Sequence, residues 1–225
     1  MIVLPEDLQI PDREDVRGQA IPFDRTRWLR LLPDPTWWPT ELDECPTTGR
    51  WPQVDRGTVL NVARRADTAP GRRHLLVASL VWGTGTKAQS VNRRGRIFQN
   101  SSSEVIDARL RVTLSVLRAQ GPVRAYFAFN NDQHIPHLGA AFFTKVLYFA
   151  GHETPTTPLR PVILDSVVSR ALQAVQGIDA NWPKNGWSTD EYGQYLAGIH
   201  DYAHEAGVLP DQVEAALFSH GKQLP

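Results

Sequence analysis

Two residues of this chain, a lysine and an aspartate 20 positions apart, have the types and settings that nucleophilic chemistry needs. Lys145 lies in the apolar stretch LGAAFFTKVLYFAG, residues 138–151, which predicts a helix over 140–150 ended by Gly151. We expect the lysine in the first turn of that helix. A helix N-terminus and an apolar surrounding both favour the neutral amine, which is the form that attacks carbon.

Asp165 begins the next predicted helix, which runs to about Val175 within VILDSVVSRAL, residues 162–172, and beyond. A carboxylate facing the lysine could stabilise an oxocarbenium-like centre and handle protons. The pattern also allows a purely structural interpretation. Asp165 would then be an ordinary N-cap, and Lys145 a lysine whose stem packs on apolar surface.

The apolar and polar spacing predicts helices along most of the chain. Further helices are expected near 23–32, over 54–65, from Ser102 to Gly121-Pro122, from Ser188, and over 211–218. The apolar run 74–82 is stopped by Gly83-Thr84-Gly85. Ser188 and Glu191 have the spacing of a capping box. Strand signals are few. We expect an all-α fold, with residues 1–52 as an irregular Pro/Trp-rich arm carrying one short helix and residues 53–225 as the helical domain.

Composition and length exclude several classes. The chain has 225 residues, 41% of them apolar and 21% charged, which suits a globular core and excludes general disorder. One cysteine, Cys45, excludes an internal disulfide framework and Cys-based metal clusters. No apolar run reaches the length of a membrane span, and the acidic start lacks a signal peptide's basic region. We therefore expect a cytoplasmic protein.

The net charge is zero, but the charges are segregated. Residues 50–100 carry ten basic and two acidic side chains, a net of +8, whereas residues 1–49 and 151–225 each carry a net of −5. Such a block is what a phosphate-binding face requires. It could equally be a solvated surface paired with the acidic ends. The members most suited to DNA follow a glycine turn and have no acidic neighbour over 69–103: Lys87, Arg93, Arg94 and Arg96.

Two other patterns carry little chemistry. His200 and His204 have metal-ligand spacing, but no third ligand is evident, so no metal is expected. The segment Trp82-Gly83-Thr84-Gly85-Thr86-Lys87 lacks the spacing of a nucleotide-binding P-loop.

The lysine and aspartate segments together resemble the helix–hairpin–helix DNA glycosylases, and within them the 8-oxoguanine DNA glycosylase/lyases, as a divergent bacterial member. That family has a Gly-x-Gly-x-Lys hairpin, and an aspartate about 20 residues later. Thr144-Lys145-Val146 and Leu164-Asp165-Ser166 match these motifs. The hairpin glycines are absent, since Ala141 and Phe143 occupy their positions and the nearest glycine is Gly139.

The resemblance implies a function and a set of site residues. Two helical lobes would enclose a cleft, with the hairpin at its edge. Lys145 would be the nucleophile and Asp165 the catalytic carboxylate. The reaction would remove a flipped, modified purine from double-stranded DNA, with 8-oxoguanine as the first choice. A β-lyase activity would accompany it, and no cofactor would be needed. Gly139 and Thr144 would join the basic cluster in contacting DNA. The base pocket would contain Phe149 and Trp82, although Phe149 could instead be core.

Alternatives from other classes stay open. One is a non-catalytic DNA-binding module, and another is an interaction subunit of an anti-phage defence complex, with the Trp/Pro arm as the surface that binds its protein partners. A third is a glycosylase that acts on a modified phage base. The retention of both Lys145 and Asp165 favours an enzyme over a catalytically dead descendant.

Overall fold

The computed structural model describes residues 8–174 and 182–224, and this part of the chain is mostly helical, as predicted. The α-helices are α1 (Arg13–Arg17), α2 (Arg25–Leu29), α3 (Arg56–Ala63), α4 (Ala69–Trp82), α5 (Ala88–Gln99), α6 (Ser103–Gln120), α7 (Pro122–Asn130), α8 (Ala140–Gly151), α9 (Ser166–Gln173), α10 (Thr189–Ala206) and α11 (Pro210–Gln223). None of these described helices combines the length and apolarity needed to cross a membrane.

Local signals correctly predicted several helix ends. The Ser102 hydroxyl accepts a hydrogen bond from the Val105 amide at the start of α6, and Gly121, with φ of 87°, ends that helix before Pro122. The capping box of Ser188 and Glu191 is formed at the start of α10. The predicted end of α9 near Val175 falls outside the described residues.

Two helix predictions were wrong in their bounds, and one of them is the short helix expected over 211–218, which is the longer α11, Pro210–Gln223. The helix expected over 54–65 begins only at Arg56, because Asp55 caps it by accepting from the Thr58 amide at 2.7 Å. The residues before it form strand β3 (Trp51–Asp55), which lies between β1 (Ala20–Pro22) and β2 (Thr47–Thr48). Both pairings are antiparallel. The apolar run 74–82 is the second part of α4, which starts earlier, after the cap Thr68.

The N-terminal segment contributes directly to the core. Trp28, Trp37 and Leu42 are almost fully buried in the same apolar cluster as the central helices. Residues 8–52 therefore pack as part of the molecule described here, while the proposed boundary at residue 52 and the division into two lobes with a cleft remain predictions.

Helix α8 lies at the centre of the packing and carries Lys145. It contacts α3, α4, α6 and α7, while α9, which follows Asp165, packs mainly on α11. The start of α9 is attached to α8 through Thr144, which is fully buried. Its hydroxyl lies 2.8 Å from the Ala140 carbonyl oxygen and accepts from the Leu164 amide at 3.3 Å. This contact holds the residue before Asp165 against the helix that carries Lys145.

Candidate active site

Lys145 and Asp165 are in direct contact. The Lys145 ammonium donates to Asp165 Oδ2 at 3.0 Å and to the Ala141 carbonyl oxygen at 2.9 Å. The lysine side chain is only 6% exposed and that of the aspartate 16%. The structure thus brings together the two residues that the sequence placed 20 positions apart.

The position of Lys145 within its helix differs from the prediction. It is the sixth residue of α8 and lies in the second turn, because the helix begins at Ala140 with Gly139 as N-cap. The free amides of the first turn are therefore not its neighbours. Its partners are instead a carbonyl of its own helix and the carboxylate at the start of α9.

Asp165 is both a helix cap and the partner of the lysine. Its Oδ1 accepts from the amides of Val167 and Val168 at 3.0 and 3.2 Å, which leaves Oδ2 for Lys145. Burial by itself would raise the pKa of Asp165, but the Lys145 charge and hydrogen bond, together with the two amides, outweigh it and lower the pKa. Asp165 is therefore a carboxylate near neutral pH and can stabilise positive charge.

Aromatic rings and a glycine enclose the lysine stem. The Lys145 nitrogen lies 6.0 Å from the Trp82 ring centroid and 5.5 Å from that of Phe142. Gly83 ends α4 at the same place, and a Cβ built on it would lie 2.9 Å from Lys145 Cδ and 2.9 Å from Phe142 Cε1. No sequence signal marks Gly83 as a neighbour of Lys145, since 62 positions separate them.

The two residues expected in the base pocket are interior residues in this conformation. Phe149 is 2% exposed and Trp82 is 5% exposed, and their rings pack edge to face at 5.4 Å. A surface pocket of about 150 Å³ reaches Phe149 from the side of Arg64 and Glu153, and Lys145 does not line it. The partly exposed ring beside the lysine is that of Phe142.

Trp82 is fixed from behind by a buried ion pair that the sequence did not indicate. Arg56 and Glu214 are each 1% exposed and meet at 2.8 Å. The Arg56 guanidinium also lies over the Trp82 ring at 5.0 Å, and both Arg56 and the Trp82 indole donate to Gln19. Burial raises the pKa of Glu214, and the Arg56 charge offsets that only in part.

The basic block divides into paired and unpaired residues. Its paired members contact carboxylates: Arg56 with Glu214, Arg65 with Glu41, and Arg72 and Arg73 with Asp107. The cluster of Lys87, Arg93, Arg94 and Arg96 lies at and along α5, and among the described residues no carboxylate lies within 4.0 Å of it. Lys87, Arg93 and Arg96 are exposed. Arg94 instead stacks on Phe142 at 4.3 Å.

Of the two other residues expected to contact DNA, Gly139 is exposed and Thr144 is buried. Gly139 is exposed at the end of the 131–139 connection between α7 and α8, and open space surrounds the position of a Cβ there. In the same connection His137 has φ of 67°, a left-handed conformation. Thr144 is fully buried, so its hydroxyl faces the interior and not the surface that would meet DNA.

One member of the histidine pair contacts the protein backbone. The imidazole of His200 contacts the backbone of Arg160 at 3.0 Å, in a partly buried position. Within residues 8–174 and 182–224, no group of three His, Cys, Asp or Glu side chains is arranged to hold a metal ion.

Comparison with known proteins places the chain in a family. No curated protein and no solved structure matches the chain. A family model described as "Putative 8-oxoguanine DNA glycosylase OGG-like protein" matches residues 14–218, a span that contains Lys145, Asp165 and the α5 cluster. That description suggests a DNA glycosylase, for which DNA is the substrate. Because the match covers most of the sequence, the chain belongs to this OGG-like family.

Proposed function

We propose that the protein removes a modified purine from double-stranded DNA, with 8-oxoguanine as the first-choice base and Lys145 as the nucleophile. The observation that carries the proposal is the 3.0 Å contact between the Lys145 nitrogen and Asp165 Oδ2, in a nearly buried setting inside the matched family region. The target nucleotide would leave the base stack to reach this pair.

The two residues have distinct parts in the reaction. As the bond between C1′ and the base breaks, positive charge develops on the sugar, and the Asp165 carboxylate stabilises it. The Lys145 ammonium gives up a proton that leaves with the departing base, and its nitrogen forms a bond to C1′. The lowered pKa of Asp165 suits the charge-stabilising part, because the carboxylate stays ionised.

A lyase step would follow from the same covalent bond. Opening of the sugar ring converts the adduct into a Schiff base between C1′ and the lysine nitrogen. Loss of a proton from C2′ then allows the bond between C3′ and its phosphate oxygen to break. This step needs no metal and no organic cofactor, since the iminium accepts the electron pair of the C2′–H bond.

The α5 cluster supports DNA as the substrate. Lys87, Arg93 and Arg96 are exposed cations without carboxylate partners among the described residues, next to the Arg94–Phe142 stack that borders Lys145. When unpaired surface arginines and lysines bind DNA phosphates, counterions condensed on the DNA are released, and this release favours binding. Gly139, exposed at the start of α8, is the further position where the backbone could approach a phosphate.

Borohydride trapping tests the nucleophile. The protein is incubated with duplexes that each carry one lesion, and borohydride reduces any Schiff base to a stable secondary amine. We expect a covalent adduct with the 8-oxoguanine duplex and none with Lys145→Gln, which should keep its helical circular dichroism. Lys222→Gln, an exposed lysine of α11, is the matched control and should trap normally. Trapping by Lys145→Gln at the parental rate would refute the assignment.

A further inference from the structure

Lys145 is enclosed too tightly to react in the conformation described here. Its side chain is 6% exposed, and its nitrogen is occupied by Ala141 and Asp165. A sugar carbon must come within bonding distance of that nitrogen. Some neighbour of the lysine must therefore move when DNA binds.

Two sides of the enclosure are fixed. Trp82 is held by its hydrogen bond to the Gln19 backbone and by Arg56 on its ring. Asp165 is held by two amides of α9. Both neighbours are anchored to buried structure, so neither is suited to open.

Phe142 and Arg94 form the side that can open. Both are partly exposed, and the guanidinium lies 4.3 Å from the ring centroid. The ring touches the lysine region directly, because Gly83 leaves no side chain between them: its hypothetical Cβ would lie 2.9 Å from both Phe142 Cε1 and Lys145 Cδ. A displacement of Phe142 therefore uncovers the lysine stem without moving any helix.

Arg94 lacks the partner that a guanidinium normally has. Partial burial, and then the neighbouring Arg93 charge, lower the pKa of Arg94, and among the described residues no carboxylate lies within 4.0 Å of it. A phosphate offers two charge-assisted hydrogen bonds in the geometry of the guanidinium fork. A DNA backbone along α5 would thus draw Arg94 away from the ring and leave one face of Phe142 free.

We propose that Arg94 and Phe142 are a cover over Lys145 that DNA opens, with Arg94 moving to a phosphate and the extruded base stacking on the freed Phe142 ring. This assignment rests on the proposed function and makes Phe142 the residue that holds the base. An aromatic face binds any base by stacking, so the pair positions the nucleotide without choosing the lesion.

Two substrates separate base stacking from the chemistry at Lys145. One duplex carries 8-oxoguanine, and the other carries an abasic site, whose aldehyde forms a Schiff base although no base is present. Phe142→Leu should slow single-turnover trapping on the lesion duplex by roughly five- to a hundredfold, the range for loss of a stacking partner. It should trap the abasic duplex at least as fast as the parent, because the smaller side chain covers Lys145 less.

Three further variants complete the design. Phe142→Tyr keeps the ring and should restore the lesion rate to near the parental value. Arg94→Gln should flatten the salt dependence of DNA affinity by about one unit, because the proposed phosphate contact is lost. Phe218→Leu, a partly buried phenylalanine of α11, controls for loss of an aromatic side chain and should match the parent.

The outcomes distinguish this inference from the proposed function. A parent protein that traps neither duplex would refute the lysine nucleophile and, with it, the cover. A parent that traps both, combined with a Phe142→Leu variant that loses the same factor on both duplexes, would overturn the cover alone and make Phe142 a structural residue. Equal lesion rates for Phe142→Leu and the parent would overturn it as well.

Discussion

At the scale of single residues, Asp165 uses its two carboxylate oxygens for its structural part and for the chemical part that we propose. Oδ1 caps α9, and Oδ2 faces the Lys145 nitrogen. An asparagine can still accept the amide hydrogen bonds with its one oxygen but carries no charge. The two parts can therefore be separated by substitution.

We predict that Asp165→Asn and Asp165→Ala lose activity equally but differ in stability. Both remove the charge that, in the proposed mechanism, stabilises the developing sugar cation, so single-turnover base release should fall by at least about a hundredfold. Only Asp165→Ala also loses the cap, which should cost about 1 kcal/mol more of unfolding free energy. Urea denaturation and single-turnover kinetics measure the two effects. Near-normal turnover by Asp165→Asn would leave Asp165 as a cap only.

We predict that Gly83→Ala displaces the Lys145 side chain and slows base release. Its φ of −80° is open to any residue, so Gly83→Ala adds a methyl group without backbone strain. That methyl group would lie 2.9 Å from Lys145 Cδ, which must shift, and base release should fall about tenfold or more because reacting groups tolerate little misplacement. Gly193→Ala is the control, since its Cβ would meet Val123 at an ordinary 3.7 Å. A Gly83→Ala variant with the parental rate would contradict the contact.

At the scale of elements, α5 presents part of the unpaired positive charge of the molecule's basic block. Arg93 and Arg96 project from it into solvent without carboxylate partners among the described residues. Arg25 and Arg65 are also well exposed, but each is paired, with Asp43 and Glu41. The two sets differ in pairing and not in formal charge, which makes them a matched comparison.

We predict that Arg93→Gln/Arg96→Gln weakens binding to all duplexes alike. On a plot of log affinity against log salt, the slope should flatten by about 1.8, or 0.9 for each lost phosphate contact. Arg25→Gln/Arg65→Gln removes the same charge from arginines that are already neutralised, and its slope should stay close to the parental one. Fluorescence anisotropy over a range of salt concentrations gives both values. Equal slopes for the two double variants would remove α5 from the DNA-binding face.

The elements also show which features a sequence can predict. Helix ends followed from Ser102, Gly121 and Ser188 because capping depends on residues within one turn. Strand β3 was missed because it is defined by its pairing with Ala20–Pro22, some 30 residues earlier. The Lys145–Asp165 contact was predicted through spacing and resemblance. The start of α8 was predicted correctly, but Lys145 is the sixth residue from that start and therefore lies in the second turn, not the first.

At the scale of the whole molecule, a second buried network joins distant parts of the chain. Asp211 at the start of α11 accepts from the Tyr148 hydroxyl at 2.9 Å and lies 3.1 Å from the His152 imidazole. Burial by itself would raise the pKa of Asp211, but His152, Tyr148 and Arg56 together lower it to about 2. This network connects α8 to α11, and it adjoins the ion pair behind Trp82, because the Arg56 guanidinium lies over both the Tyr148 and the Trp82 rings.

We predict that this network makes stability depend on acid pH. A carboxyl group with a lowered pKa stabilises the fold above its ordinary pKa, near 4, and loses that contribution as the pH falls towards 2. At pH 6 the free energy of unfolding of Asp211→Asn should therefore be about 2 kcal/mol lower than that of the parent. This difference should shrink between pH 4 and 2. Urea denaturation at each pH measures it. A difference that is independent of pH would show that Asp211 is not charged in the folded protein.

The Arg56–Glu214 pair also sets an order of events during translation. The two residues are 158 positions apart, so a ribosome adding about 5–20 residues per second incorporates Arg56 roughly 8–32 s before Glu214. Until α11 emerges, a guanidinium without its carboxylate cannot be buried at acceptable cost behind Trp82. The wall beside Lys145 is therefore completed only when α11 has left the exit tunnel. A nascent chain without α11 therefore lacks the ion pair behind Trp82, beside the lysine that we propose as the nucleophile.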